Sequence, residues 1–554
     1  MRTRRLSTLG LCVLALGVLT SAATAAPPVR KGLALKQAAA PQHANLNAAA
    51  VTAEAVTPST DLPARTLTPL INQPPDGITF TMLLTDGSVM AQDGLYYYMW
   101  WKLTPDINGS YVNGTWTQLA SLPETYSPYA ATEAVLADGR VLIIGGEYSN
   151  FLLGEPFTLT NQGAIYDPRT DTWSSLAAPP GFNFIGDSPS TVLSDGRLLL
   201  GDKLTKQVSA FDSRTMSWTN LGSTGKSDFN AEEGWTLLPD GEVLTLDVLD
   251  APKAEEYSAW KQAWRALPNV PVDLHSPTTA VGCIPYGPLP SECYYPPGEI
   301  GPAILRPNGT VFATGSYANA DPTFSPSSAG HTAVYDTHTH TWTQGPDFPI
   351  VTDVNCYYTC GAIADNAGDD FAVLLPNGKV LVEGAFYGYE FDGKHFVATV
   401  PESVYMGSLT VLPTGEVLFG GFSPHGLPTQ TYVSPGRPDP AWAPVIAWVQ
   451  DFYGLQPGST YRVWGFQFNG LSQAQAFGDE FTASQNYPLL RITNKATHHV
   501  VYARTHDHST MGVATGADLV WTNFDVPQQI ESGPSRLEVV ANGIASEPWD
   551  VWVK

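Results

Sequence analysis

The stretch Ala134-Val135-Leu136-Ala137-Asp138-Gly139-Arg140-Val141-Leu142-Ile143-Ile144 reads as two apolar strands joined at an Asp-Gly turn. Asp-Gly and Asn-Gly tolerate the positive φ angles of a two-residue hairpin turn, so the stretch predicts a β-hairpin. The same pattern recurs at Asp86-Gly87, Asp195-Gly196, Asp240-Gly241, Asn308-Gly309, Asn377-Gly378 and Thr414-Gly415, which makes seven copies. Successive turns lie 52, 57, 45, 68, 69 and 37 residues apart, near the period of about 50 residues expected of a four-stranded propeller blade. Seven blades close a ring with only short, protected edges and bring the loops of every blade to one axis.

A second periodicity accompanies the first. Tyr166 and Trp173, Phe211 and Trp218, Tyr257 and Trp264, and Tyr335 and Trp342 are each seven residues apart and bracket a polar turn. This is the outer hairpin of a blade, with the aromatics packed between neighbouring blades. Blade one carries a looser version from Tyr98 to Trp116 with an inserted Asn-Gly loop.

Composition agrees with frequent turns and short strands: Gly and Pro number 50 and 46, and only 14 % of the 554 residues are charged. The net charge of −24 argues against nucleic acid, which calls for a basic footprint. Arg2, Arg4 and Arg5 precede an apolar run from Leu9 to Leu19 and the small residues Ala23-Thr24-Ala25. That order predicts a secretory signal peptide over 1–26 and a secreted or periplasmic protein. No later stretch approaches the roughly 20 apolar residues of a membrane helix. An Ala/Pro-rich linker is expected over 27–68. Beyond Cys12, inside the leader, four cysteines remain: Cys283, Cys293, Cys356 and Cys360. In an oxidising compartment they suggest two disulfides. Pairing Cys283 with Cys293 and Cys356 with Cys360 closes two short loops, although four cysteines permit three connectivities.

The seven blades account for 69–434, after which the texture changes. Alternating stretches at Val445-Ile446-Ala447-Trp448-Val449, Tyr461-Arg462-Val463-Trp464, Leu489-Leu490-Arg491-Ile492, Val500-Val501-Tyr502, Leu519-Val520-Trp521 and Leu537-Glu538-Val539-Val540 are punctuated by Pro, Gly and Asn. With a closing hairpin at Ala541-Asn542-Gly543-Ile544, they predict an immunoglobulin-like β-sandwich over 435–554. The expected fold class is all-β: a seven-bladed kelch-type propeller followed by that sandwich.

This organisation resembles the galactose oxidase and glyoxal oxidase family, from about residue 70 to the end. The most specific element is Tyr502-Ala503-Arg504-Thr505-His506-Asp507-His508-Ser509-Thr510-Met511-Gly512. In that family a hairpin of the last domain enters the propeller axis and delivers a Thr-His copper ligand, and Thr505-His506 stands at the matching place. Tyr405, in Val404-Tyr405-Met406-Gly407, matches the family's axial tyrosine. The rest of the copper-radical site departs from the pattern. The second copper histidine falls on Met406, and the radical tyrosine on Glu232 beside Glu233. The crosslinking cysteine falls on Asp187, and the shielding tryptophan near Leu249 or Asp250. Of the five groups that hold the copper and the radical, the shielding tryptophan aside, two are retained, and both parts of the redox pair are replaced by carboxylates.

The axis is therefore expected to be acidic, with Asp187, Glu232, Glu233, Glu299, Asp369 and Asp370 at the starts of the innermost strands. Alternation along a strand would turn His506 and His508 to one face, so that both reach inward beside Tyr405 as metal ligands. Carboxylates beside histidines suit a divalent metal, with copper disfavoured relative to the family. They also suit hydrogen bonding to sugar hydroxyls, or acid–base work by Asp187, Glu232 and Glu233. The expected function is binding of a carbohydrate or metal ligand at the axis by a monomer, without copper-radical chemistry. The alternatives are a copper-dependent oxidase of sugars, aldehydes or alcohols with a modified site, a hydrolase or lyase using the axial carboxylates, and a structural or adhesive surface protein.

Overall fold

The structure is a computed structural model that describes residues 66–149, 159–275, 284–286, 289–294, 299–317, 330–352, 361–400, 407–420, 428–477 and 484–554. Among these residues seven antiparallel blades surround an axis. Their innermost strands are Ile78–Leu83, Thr132–Val135, Ser190–Val192, Thr236–Leu237, Ile300–Leu305, Ala372–Leu374 and Leu409–Val411. Each runs from one face of the ring to the other and turns back at one of the seven glycines.

Those turns are not of the expected two-residue kind. Only the glycine has positive φ, from +76° at Gly87 to +87° at Gly196. Gly139 N–H donates to Leu136 O at 2.8 Å, and Leu136 N–H donates to Arg140 O at 2.8 Å. This is a three-residue loop, a type I turn followed by a left-handed glycine. Asp and Asn have a different role in it. Asp138 Oδ1 accepts Arg140 N–H at 3.0 Å, and Asn308 Oδ1 accepts Thr310 N–H at 3.2 Å, so the side chain closes the turn that the backbone leaves open.

The aromatic pairs lie directly across the outer hairpins, Tyr166 opposite Trp173 and Tyr335 opposite Trp342, with ring centroids 5.1 and 4.9 Å apart. The indoles also tie blades together. Trp173 Nε1 donates to Ala120 O at 2.7 Å and Trp218 Nε1 to Ala177 O at 2.8 Å. In blade one the partner of Trp116 is Leu103, not Tyr98. The ring closes through Thr66–Pro69, which pairs with Gln430–Val433 as the outer strand of blade seven. The end of the predicted linker is thus part of the propeller.

The C-terminal part is a continuous ladder of Val445–Val449, Thr460–Phe466, Val520–Asp525, Val500–His506, Leu489–Asn494, Gly533–Ala541 and Ile544–Ala545, with Trp549–Val553 also paired to Gly533–Ala541. The strand Val500–His506 changes partner midway: residues 500–503 pair with 490–493, and 504–506 with 523–525. The two halves enclose one core that includes Val449, Val463, Ile492, Phe524, Val539 and Val553. The closing hairpin turns on Asn542 and Gly543, both at positive φ (+46° and +72°).

This unit sits on the face of the ring that carries the glycine turns. Thr505 N–H donates to Thr85 O at 3.1 Å, Arg504 Nη2 to Asp138 O at 2.7 Å, and Met511 N–H to Ser194 O at 2.9 Å. From the same side a segment enters the axis, and Gln475–Ala476 pairs with the innermost strand of blade six. Gln473 Nε2 donates to Thr191 Oγ1 of blade three at 2.7 Å, and its Oε1 accepts Leu237 N–H of blade four at 2.7 Å. Gln475 Nε2 reaches Ser408 Oγ of blade seven at 3.2 Å. The axis is therefore filled from below by one segment whose amide side chains tie blades three and four to blades six and seven.

Candidate functional site

The opposite face carries the starts of the innermost strands. Equivalent positions there adopt left-handed backbone at Gly77 (φ +76°), Ala130 (+51°), Gly186 (+56°), Glu232 (+57°), Asp369 (+57°) and Gly407 (+71°). Glycine takes this conformation without cost, whereas a residue with a Cβ is strained by roughly 1–2 kcal/mol. Two buried carboxylates, Glu232 and Asp369, occupy it all the same. Below them Phe80, Tyr129, Phe371 and Phe477 form an aromatic layer, with centroids 5.6 Å apart for Phe80–Tyr129 and 4.6 Å for Phe371–Phe477.

The sequence-predicted acids of blades three and four are brought together around lysines. Lys203 follows the strand Leu198–Gly201 of blade three and is fully buried. Its Nζ lies 2.5 Å from Asp187 Oδ1 and 2.8 Å from Glu232 Oε1, so an ammonium bridges the positions matched to the family's cysteine and radical tyrosine. The neighbouring Glu233 faces a different cation. Lys226 Nζ lies 2.7 Å from Glu233 Oε1 and from Asp228 Oδ1, 3.1 Å from Glu255 Oε2 and 3.7 Å from Asp247 Oδ1. Glu233 Oε2 accepts Trp235 Nε1–H at 3.3 Å and Thr245 Oγ1–H at 3.1 Å. Burial pushes the Glu233 carboxyl well above the usual range against the pull of Lys226. Burial pulls the Lys226 ammonium down, but Glu233, Asp228, Asp247 and Glu255 outweigh it and hold the group charged.

Sequence reasoning found Asp187, Glu232 and Glu233 but missed Lys203 and Lys226. The available signal was two lysines, one just after the second strand of blade three and one in the segment before the innermost strand of blade four, in a chain with 28 basic and 52 acidic residues. Asp369 and Asp370 are buried at the start of blade six, where Asp369 N–H donates to Ile300 O at 2.9 Å. Glu299 is buried at the start of blade five. Tyr405, Met406, Cys283, Cys356 and Cys360 lie outside the described residues, as does the side chain of Cys293.

The expected placement of His506 and His508 is corrected. The described strand that enters the axis is Gln475–Ala476, while the 502–512 segment lies across the turns of blades one to three at the junction of the two units. His506 Nδ1 is 2.7 Å from Asp507 Oδ2, and its Nε2 is 3.2 Å from Asp525 Oδ1. Burial lowers its pKa, but hydrogen bonds to Asp525 and Asp507 raise it above the ordinary value. Asp507 has φ +50°, which breaks the alternation on which a shared face depended. The ring of His508 stacks on Tyr487 at 6.2 Å, and its Nδ1 is 2.8 Å from Thr522 Oγ1. Enclosure of the ring and repulsion from His506 hold His508 neutral, with a pKa of about 3.

No protein-family model matches the chain. Over 118 residues, 21 % of this chain, it is 29 % identical to the Kelch-like protein terF of Aspergillus terreus (strain NIH 2624 / FGSC A1156). That match spans 23 % of the relative's length. Among solved structures, the chain is similar to a novel fungal alcohol oxidase of the AA5 family in complex with copper. The identity is 12 %, 89 % of this chain and 99 % of that one are covered, and the TM-score is 0.45. It is also similar to a catalytically inactive virginiamycin B lyase from Staphylococcus aureus with quinupristin, at 8 % identity, 67 % and 99 % coverage and a TM-score of 0.43.

Proposed function

We propose that this chain is a secreted propeller of galactose oxidase-like type, with an immunoglobulin-like C-terminal unit, that binds a polyhydroxylated ligand of the carbohydrate class at the acidic mouth of its axis. The observation that carries this reading is the pair of carboxylates, Glu232 and Asp369, held in left-handed backbone where Gly77, Gly186 and Gly407 stand in other blades. Strain kept at a cleft against an available glycine is a mark of a working site. Carboxylates accept sugar hydroxyls, and the buried aromatic layer of Phe80, Tyr129, Phe371 and Phe477 gives them a rigid apolar floor. Among the described residues, the donors do not fit the copper centre that the family resemblance implies. Both ring nitrogens of His506 face carboxylates at the junction of the two units, and Lys203 places an ammonium between Asp187 and Glu232.

The test is a glycan array followed by calorimetry with the best oligosaccharide. Glu232→Gln and Asp369→Asn should each weaken binding at least tenfold while near-ultraviolet circular dichroism stays unchanged. Full affinity in both folded variants would overturn the reading.

A further inference from the structure

The wall of blade four has an excess of buried negative charge that its one lysine does not balance. Four carboxylates, Asp228, Glu233, Asp247 and Glu255, face the ammonium of Lys226, and all five groups are buried. Buried anions require cations or protons, because an uncompensated charge in the interior costs several kcal/mol. Asp247 is the informative member. It is 2 % exposed, neither of its oxygens has a hydrogen-bond partner, and Lys226 Nζ stands 3.7 Å from Oδ1. A bare carboxylate thus points into the cluster.

We propose that Asp228, Glu233 and Asp247 form a site for a divalent cation of the oxygen-seeking class, Ca²⁺ above all, with Glu255 and Lys226 as its neighbours. One oxygen from each of the three carboxylates lies within 4.8 Å of the others, so an ion among them stands at most about 2.8 Å from each, and a small inward turn of the side chains gives the 2.3–2.6 Å typical of Ca²⁺–O contacts. The remaining oxygens are already oriented by the fold. Asp228 Oδ2 accepts Leu249 N–H at 3.0 Å and Asp250 N–H at 3.3 Å, and Glu233 Oε2 accepts the indole of Trp235 and the hydroxyl of Thr245. Such partners fix ligands for a metal as they do in established sites. Lys226 Nζ lies 2.7 Å from Asp228 Oδ1 and Glu233 Oε1, so an entering ion displaces the ammonium towards Glu255 Oε2, 3.1 Å away, and the Trp264 ring, whose centroid is 5.2 Å away. All-carboxylate oxygen donors exclude soft metals and favour Ca²⁺ or Mn²⁺. Protons are the competing occupants, since burial together with repulsion from Asp228 and Glu255 pushes Asp247 up to about 7.

This site is separate from the axial mouth and does not depend on the carbohydrate reading. The test uses the full exported chain, stripped with a chelator and dialysed. Calorimetry with Ca²⁺ should give one ion per chain and a rise in Tm of about 3 °C or more at saturation. Tb³⁺ should show emission sensitised through Trp235, whose Nε1 is 3.3 Å from Glu233 Oε2. Trp235→Phe, which removes the indole beside Glu233, should dim that emission. Asp247→Asn, which preserves shape, should lower Ca²⁺ affinity at least tenfold. Absence of Ca²⁺ heat and of sensitised Tb³⁺ emission in the unmodified protein would overturn the proposal, as would unchanged affinity in a folded Asp247→Asn.

Discussion

Glu133, on the innermost strand of blade two, shows how a single buried group sets a property of the whole protein. Its Oε2 is buried without a hydrogen-bond partner, and burial pushes its pKa from the ordinary 4.5 up to about 8. Between those two values the folded protein holds a proton that the unfolded chain releases. Stability from this group is therefore complete below about pH 4.5 and falls as pH rises towards 8. Glu133→Gln should remove this group's share of the fall, so that the gap between denaturant midpoints at pH 5 and pH 8 narrows and the variant gains on the order of a few kcal/mol at pH 8. His506 adds a smaller effect of the same sign. Its pKa is raised in the fold, so its contribution is present below about 6.5 and fades as pH climbs through the raised value. At this scale the acids of the site were legible, because Asp187, Glu232 and Glu233 could be counted from the hairpin turns. Their partners were not, because Lys203 meets Glu232 only when blades three and four pack, and Lys226 meets Glu233 only through the fold of the segment that leads into blade four.

The hairpin turn is the element on which the fold was read, and its glycine at 139 differs from Gly181, a left-handed glycine in a plain loop. A Cβ on Gly139 (φ +81°) would lie 2.9 Å from Thr85 Oγ1, 3.1 Å from Arg504 Nη2 and 3.2 Å from Thr505 O, whereas Gly181 (φ +90°) has open space around it. Gly181→Ala should cost about 1 kcal/mol, the backbone penalty alone. Gly139→Ala should cost more, about 2–3 kcal/mol, because it also presses on the docked C-terminal unit. Chemical denaturation of the two variants side by side separates the terms. The axial segment makes a second prediction. Gln473→Ala removes the bonds to Thr191, Ser484 and Leu237 N–H and should destabilise by about 2–4 kcal/mol, since it leaves a buried backbone donor unpaired. Turns and aromatic pairs were legible because their partners are near in sequence. The strand Gln475–Ala476 was not, because it is two residues long, pairs with residues 372–373, and lies in a Gly/Ser/Gln-rich stretch without apolar alternation.

For the whole molecule, the ring and its C-terminal unit form one mechanical body, with the second unit clamped across the turns of blades one to three and threaded into the axis. No helix of the described residues is long and apolar enough to cross a membrane. The ring itself is fastened by Thr66–Pro69 against Gln430–Val433. Deleting residues 1–69 should therefore speed unfolding at least tenfold relative to a chain that starts at residue 66, measured by stopped-flow dilution into denaturant. That four-residue strand was missed because its composition matches the Ala/Pro/Thr-rich stretch before it, and pairing rather than pattern makes it a strand. The fastening also fixes an order in time. A chain emerging from the ribosome displays Thr66–Pro69 at the outset but finishes Gln430–Val433 only after six blades have been made. Throughout that interval the nascent propeller is an open arc with a bare sheet edge at each end, the geometry that invites pairing with a second copy. Until Val433 has been made, a chaperone or spacing between ribosomes would serve to keep those edges apart.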